Sequence, residues 1–428
     1  MITFIDLFAG AGGLSEGFLD AGFCSIAHVE MMHEACMTLQ TREAYHYLEK
    51  QKRLGDYRKY LRKEMSRSDF LKNVPADVLS SVFECTMSEE NLPDLISKID
   101  ERNKITNKGK PVDVIVGGPP CQAYSLVGRS RKDMSKDKRN HLYKLYIKFL
   151  QHYQPKLFVF ENVTGIYTAG DGKYLEDLKR ECDEAGYKVL TDVLKAEEYG
   201  VLQRRRRVII IGVRKNMFPD YTENQLKALV YPRKINENQD YKVKDLFSDL
   251  PPLKPGEEND HYNGAPSEYI SKFGIRTPAD VLTWHVTRPI READREIYRL
   301  AIEKKLNGKG NLHYTEIPEN LQFHKNKKSF LDRFKVIPPD GSATYTMVAH
   351  ISKDGHYYIY PDIKQARSIS VREAARIQSF PDNYYFEGPR TSAFLQIGNA
   401  VPPLMAKVIA TKIKEFLKKQ KTIIVDKQ

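Results

Sequence analysis

Thr3 to Phe8 is an apolar run of β-formers, broken by Gly10, Gly12 and Gly13. Leu14 to Ala21 then carries helical spacing, and Cys24 to Val29 is a second apolar run that closes on Glu30. This pattern predicts strand, tight glycine turn, helix and strand. Val112 to Val116 reads as a short buried strand ending in Gly117-Gly118-Pro119-Pro120. Leu142, Leu145, Tyr146, Phe149, Leu150 and Tyr153 fall on one helical face. Leu157 to Phe160 and Val208 to Val213 are further strands. Strands alternating with helices predict an α/β core with a parallel, doubly wound sheet in the first half of the chain.

Two stretches depart from this rhythm. Residues from about 41 to 110 are rich in Lys, Arg, Glu and Tyr with helical periodicity, as in Tyr45 to Glu64, and read as a helical insertion with a solvated, charged face. From Lys215 to Gln365 prolines and short irregular runs dominate (Pro251-Pro252, Pro255, Pro338-Pro339), which predicts a second, smaller, loop-rich domain. Ser370 to Gln378 restores a helix, with Ser370 and Glu373 spaced as a capping box. The last helix is predicted from Pro403 to Lys419, with Met405, Ile409, Ile413, Phe416 and Leu417 on one face. The expected division is therefore 1–214, 215–366 and 367–428.

Composition narrows the function classes. The 428 residues hold 68 Lys plus Arg against 56 Asp plus Glu, a net charge of +12 that favours a polyanionic partner. A mean hydropathy of −0.54 and short apolar runs exclude a transmembrane helix. The chain opens directly on its first strand, so no export signal is expected. Cys24, Cys36, Cys85, Cys121 and Cys182 are odd in number, scattered and without a CxxC pair. Neither a zinc site nor a disulfide framework is expected, and no metal; reduced thiols suit the cytoplasm.

Four motifs carry chemistry. Asp6-Leu7-Phe8-Ala9-Gly10-Ala11-Gly12-Gly13 places glycines between strand and helix, where open amides attract polar groups, but its spacing is not GxGxxG. This disfavours a nicotinamide dehydrogenase. Glu30, at a strand end, is placed to accept from ribose hydroxyls, or is a surface charge. Cys121, after two prolines at the edge of a parallel strand, is either a held nucleophile or a packed thiol. Glu161, closing a strand on the same edge, is an acid or a helix cap. Gln203-Arg204-Arg205-Arg206-Arg207 is a solvated charge run, or a clamp for phosphate or a base edge.

DLFAGAGG, GGPPCQ, ENV, QRRRR before a strand, SVREAARIQSFPD (Ser370 to Asp382) and GNAVPP (Gly398 to Pro403) stand in that order. Together they resemble the ordered motifs of the DNA (cytosine-5)-methyltransferase family, over about 1–213 and 367–403. The resemblance implies a Rossmann-like, S-adenosylmethionine-dependent core, with 215–366 as target-recognition domain and 367–428 returning to the catalytic domain. It implies that Phe8, Ala9, Gly10, Ala11 and Gly13 line the cofactor, Glu30 holds its ribose and Met31 lies against adenine. Pro120 and Leu142 would be further contacts, and Asn399, Ala400 and Val401 would close the pocket. An acidic residue of the third strand would meet the adenine, with Glu84 and Asp94 among the candidates.

The family's chemistry implies a thiolate, Cys121, that adds to cytosine carbon 6 and activates carbon 5. Glu161 would donate to ring nitrogen 3. Arg205, and after it Arg207, would hold the ring oxygen and order Glu161. The target base would be flipped out of the duplex. Gln122, Ser125, Arg129 and Arg131 would meet DNA, in a Ser125–Arg139 loop that also carries Lys132, Lys136, Lys138 and Arg139. Thr344 and Thr346 are further candidate contacts, whereas Arg372-Glu373 is read as structural.

The expected activity is sequence-specific cytosine-5 methylation of double-stranded DNA, releasing S-adenosylhomocysteine. The compact size points to the modification enzyme of a bacterial restriction-modification system, functionally paired with a restriction endonuclease. A cytoplasmic monomer is expected. A tRNA cytosine-5 methyltransferase of the same family and a catalytically silent DNA-binding protein are the alternatives.

Overall fold

The structure, a computed structural model, describes residues 1–119, 142–235, 240–323 and 330–425. The strands are β1 (Thr3–Leu7), β2 (Cys24–Glu30), β3 (Val82–Glu84), β4 (Val114–Gly117), β5 (Leu157–Asn162), β6 (Tyr187–Lys195) and β7 (Arg206–Arg214). Among the described residues they form one sheet in the order β3-β2-β1-β4-β5-β7-β6. β1 pairs in parallel with β2 and β4, as do β2 with β3 and β4 with β5. β7 runs antiparallel to both β5 and β6. This corrects the expectation of a wholly parallel sheet. The link from Lys195 to Arg206 holds only a short helical turn at Ala196–Tyr199, too little for a crossover, so the chain returns antiparallel.

Both faces of the sheet are covered, which is why its strands read as continuous apolar runs rather than alternating ones. Phe4, Val114, Val116, Val159, Ile209 and Ile211 point to one face; Ile5, Leu7, Ile115, Phe158, Phe160 and Ile210 point to the other. The helices of the first half are α1 (Gly13–Asp20), α2 (His33–Lys50), α3 (Gly55–Leu61), α4 (Arg67–Leu71), α5 (Ala76–Leu79), α6 (Leu92–Asn107), α7 (Leu142–Tyr153), α8 (Lys173–Glu184) and α9 (Glu223–Val230). α1 and α9 cover the first face through Leu14, Phe18, Leu226 and Val230. α6, α7 and α8 cover the second through Leu95, Ile99, Phe149, Leu175 and Leu178.

The 41–110 stretch is less of an insertion than its composition suggests. β3 is the sheet's edge and α6 packs behind it, so both belong to the core. The predicted helix through Glu64 breaks at Lys52, where φ is 56°. Only the end of α2 with α3, α4 and α5 forms an elaboration, around its own small core of Ala44, Tyr45, Leu48, Tyr57, Leu61, Phe70 and Val74.

The second unit is loop-rich, with α10 (Glu268–Lys272), α11 (Glu292–Leu306) and isolated bridges such as Val336 to Ile359. Then follow α12 (Val371–Ile377), α13 (Arg390–Asn399) and α14 (Pro403–Val425). Packing crosses both expected boundaries. Phe218, Leu226, Val230 and Tyr231 bury their side chains against the sheet, so the first unit runs past 214. Val371, Ala374, Ala393 and Phe394 share a core with Val243, Leu246, Ile337 and Met347, and with Ala11 and Leu202 of the first unit. α14 alone returns to the sheet, with Met405, Ile409, Ile413 and Phe416 inward. The capping box of α12 is formed: Glu373 N donates to Ser370 Oγ at 3.1 Å, and Ser370 N donates to Glu373 Oε2 at 2.6 Å.

Candidate active site

The C-terminal ends of β1, β2, β4 and β5 meet at one edge, where the strand order reverses about β1; open α/β sheets place ligands there. Beyond Leu7 the chain turns sharply through Phe8 (φ 61°) and Gly10 (φ 56°) before entering α1. Glu30 braces the turn from the end of β2: its Oε2 accepts from Gly10 N at 2.8 Å and its Oε1 from Met32 N at 2.8 Å. A Cβ on Gly10 would meet nothing within 4 Å, so the turn borders open space. Met31, 60% exposed, stands beside it.

Ala11 and Gly13 act from below rather than from the opening. Ala11 is buried with Phe380 and Ala400, and a Cβ on Gly13 would lie 2.3 Å from the Val401 carbonyl oxygen. Ala400 and Val401 are thereby pressed onto the glycine turn, with Asn399 exposed beside them and Leu142 half-buried at the start of α7. Glu84 ends β3, and Cys85 N donates to Glu30 O at 2.8 Å, so Glu84 lies next to Glu30. It pairs with His33 Nδ1 at 2.9 Å, whereas Asp94 sits on α6 and pairs with Lys98.

Sequence reasoning missed a buried chain under the turn. Ser15 Oγ donates to Asp6 and lies 3.0 Å from His28 Nδ1; His28 Nε2 lies 2.9 Å from Glu43 Oε1. Burial pushes the Asp6 carboxyl up to about 6. No sequence spacing relates these residues, because they come from β1, α1, β2 and α2.

The second half of the edge is built around Glu161, on β5. Arg207 Nε lies 2.6 Å from Glu161 Oε1, with both side chains largely buried. A Cβ on Gly118 would sit 2.7 Å from Glu161 Oε2, so only glycine lets the chain pass there. Asn162 Nδ2 donates to the Pro119 carbonyl at 3.5 Å. The segment leading to Cys121 is thus fixed beside Glu161. Pro120, Cys121, Gln122, Ser125, Arg129 and Arg131, with the rest of the 125–139 loop, lie outside the described residues.

Of the two arginines expected at the site, Arg207 meets Glu161. Arg205 is completely buried and donates to the carbonyls of Met347, Gly398 and Ala400. Thr344 is buried and pairs through its backbone with Leu202 and Arg204, and the Thr346 hydroxyl donates to the Arg204 carbonyl.

A seven-stranded sheet with a reversed penultimate strand, a glycine turn braced by a carboxylate on β2, and a carboxylate–arginine pair joining β5 and β7 define a Rossmann-like methyltransferase. The model of the C-5 cytosine-specific DNA methylases matches residues 2–87 and 76–415. The chain belongs to that family and is a DNA (cytosine-5)-methyltransferase. It is 44% identical over 449 residues to the type II methyltransferase M.Bpa9945I of Bacillus paralicheniformis, spanning 96% of this chain and 98% of that one. It is 31% identical to the type II methyltransferase M.DdeI of Desulfomicrobium norvegicum, spanning 96% and 88%. A solved DNA modification methyltransferase encoded within an E. coli prophage shares the fold with a TM-score of 0.64, at 22% identity over 98% of this chain and all of that one.

Proposed function

We propose that this enzyme methylates carbon 5 of a cytosine within a specific sequence of double-stranded DNA, using S-adenosylmethionine, as the modification enzyme of a restriction-modification system. The Arg207–Glu161 pair, fixed beside the segment that leads into Cys121, carries the reading. A cytoplasmic monomer acting alongside a cognate endonuclease fits it.

The residues at the β1–β2 edge suit the cofactor. Space is open at Gly10, Met31 is exposed, and Glu30 is held in place by two backbone amides. A carboxylate has about four acceptor sites, so Glu30 keeps capacity for ribose hydroxyls. Glu84 and the Cys85 backbone would meet the adenine edge, with Met31 on its face. When bound, S-adenosylmethionine supplies an electrophilic methyl group.

The chain's own groups supply the rest. Cys121, as thiolate, forms a bond to carbon 6 of the flipped-out cytosine, placing electron density on the ring. Glu161 donates a proton to ring nitrogen 3, which neutralises the added charge and leaves an enamine whose carbon 5 is nucleophilic toward the methyl group. Arg207 orients Glu161 and donates to the ring oxygen. After methylation, water takes the carbon 5 proton, its bonding pair forms the 5,6 double bond, the carbon–sulfur pair leaves with Cys121 as thiolate, and the nitrogen 3 proton returns to Glu161.

Bisulfite sequencing of DNA from cells expressing the enzyme, beside a Cys121→Ser control, tests the reading. The expected result is methylcytosine at one short recurrent site, absent with Cys121→Ser. Unmodified DNA from cells holding soluble enzyme overturns it.

A further inference from the structure

Gln203, Arg205 and Arg207 alternate inward along the approach to β7, while Arg204 and Arg206 face solvent. Gln203 and Arg205 grip one residue of the second unit from both sides. The Met347 amide donates to Gln203 Oε1 at 2.8 Å, and the Met347 carbonyl accepts from Arg205. The neighbouring backbone repeats the attachment: Thr344 N donates to Leu202 O and Arg204 N to Thr344 O, each at 2.9 Å.

The same two side chains also hold the segment that closes the cofactor edge. Arg205 Nη2 donates to Ala400 O at 2.8 Å and Gly398 O at 3.3 Å. Gln203 Nε2 donates to Gln378 Oε1 at 2.7 Å, and Gln378 Nε2 donates to Ile397 O at 2.6 Å and Ala400 O at 3.2 Å. The Ala400 carbonyl is thus shared by Arg205 and Gln378. Gly398 has no room to yield, since a Cβ there would sit 2.4 Å from Ala349 N.

We propose that Gln203, Arg205 and Gln378 form a positioning hub through which DNA held by the second unit changes the enzyme's affinity for its cofactor, and the cofactor changes its affinity for DNA. This rests on the function proposed above. A guanidinium is a rigid planar fork, so its donors cannot follow Met347 and Ala400 independently. A displaced Met347 therefore moves Arg205 or Ala400, and Ala400 and Val401 press on the glycine turn at Gly13. Packed interiors switch between arrangements rather than deform smoothly. Arg207 follows two residues later, at the start of β7, so the Glu161 carboxylate is reached by the same shift. Coupling between two binding equilibria is reciprocal.

The test is calorimetric titration of the full chain with S-adenosylhomocysteine, alone and with the duplex site mapped by bisulfite sequencing. In the unmodified enzyme, DNA is expected to change the dissociation constant roughly tenfold. Arg205→Lys, which keeps a cation but cannot span three carbonyls, and Gln378→Met should bring that ratio close to one while thermal melts still report folded protein. A ratio unchanged in the folded variants, or absent from the unmodified enzyme, overturns the proposal. If both variants fail to fold, Thr346→Val removes only a half-buried hydroxyl from the Arg204 carbonyl and should reduce the coupling about two- to threefold; an unaltered ratio there overturns it equally. Failure of the unmodified enzyme to bind the cofactor product or methylate any DNA would instead overturn the functional reading itself.

Discussion

Arg207 and Glu161 meet across two antiparallel strands, Nε to Oε1 at 2.6 Å, where the register pairs Asn162 with Val208. Arg207 is therefore predicted to act in the chemical step. Arg207→Ala and Glu161→Gln should each lower the single-turnover rate by about 10²- to 10³-fold. Duplex binding, followed by gel shift, should change far less. Equal losses in rate and binding would show that the pair serves DNA affinity instead.

Helices α1 and α14 cross at Gly17, where a Cβ would lie 2.3 Å from Lys407 N and 2.5 Å from the Ala406 Cβ. Gly17→Ala forces backbone against backbone and should destabilise the fold by about 1–3 kcal/mol. A melting temperature lowered by several degrees is the expected observation, and an unchanged melt would mean the crossing relaxes freely.

Stability should depend on pH through His46. Burial is the largest influence and would lower its pKa, but the charge and hydrogen bond of Glu16, 3.1 Å away, together with a hydrogen bond to Glu49, prevail over burial and Arg42 and raise it to about 9. The folded value lies above the unfolded one, so the stabilisation is fully present below pH 6.5 and is lost as pH rises through 9. The melting temperature of the unmodified enzyme should fall over this window. His46→Gln should fall less, and parallel curves for the two would contradict the assignment.

Arg376 is completely buried between Asp249 (Nη1 to Oδ1, 2.5 Å) and Asp382 (Nη2 to Oδ2, 2.6 Å). Arg376→Met leaves both carboxylates short of a partner, although Arg276 still reaches Asp249. Urea unfolding should show a loss of about 3–5 kcal/mol. A loss under about 1 kcal/mol would mean that Arg276 and Arg372 compensate.

Local pattern reached far into this fold. The helix from Leu142 to Tyr153 lies where its apolar spacing put it, and β1 and β2 begin at Thr3 and Cys24 as their apolar runs indicated. Such elements are written locally because burial on a sheet or a helix face demands one periodicity over many consecutive residues. The glycine turn, the carboxylate at the end of β2 and the Glu161 strand end were legible for the same reason.

What depends on distant partners was not legible. β3 is only three residues long and makes no periodic signal, so its place in the sheet comes from pairing with β2. The direction of β7 follows from a short link rather than from its own residues. The sequence by itself determined that several arginines precede a buried strand and that Glu161 closes another. Only the tertiary structure decided which of them meets it: the register pairs Glu161 with Ile209, so Arg207, two residues before that partner, reaches the carboxylate diagonally. That register leaves Arg205 to bind carbonyls of Met347, Gly398 and Ala400, residues more than 140 positions away in the chain.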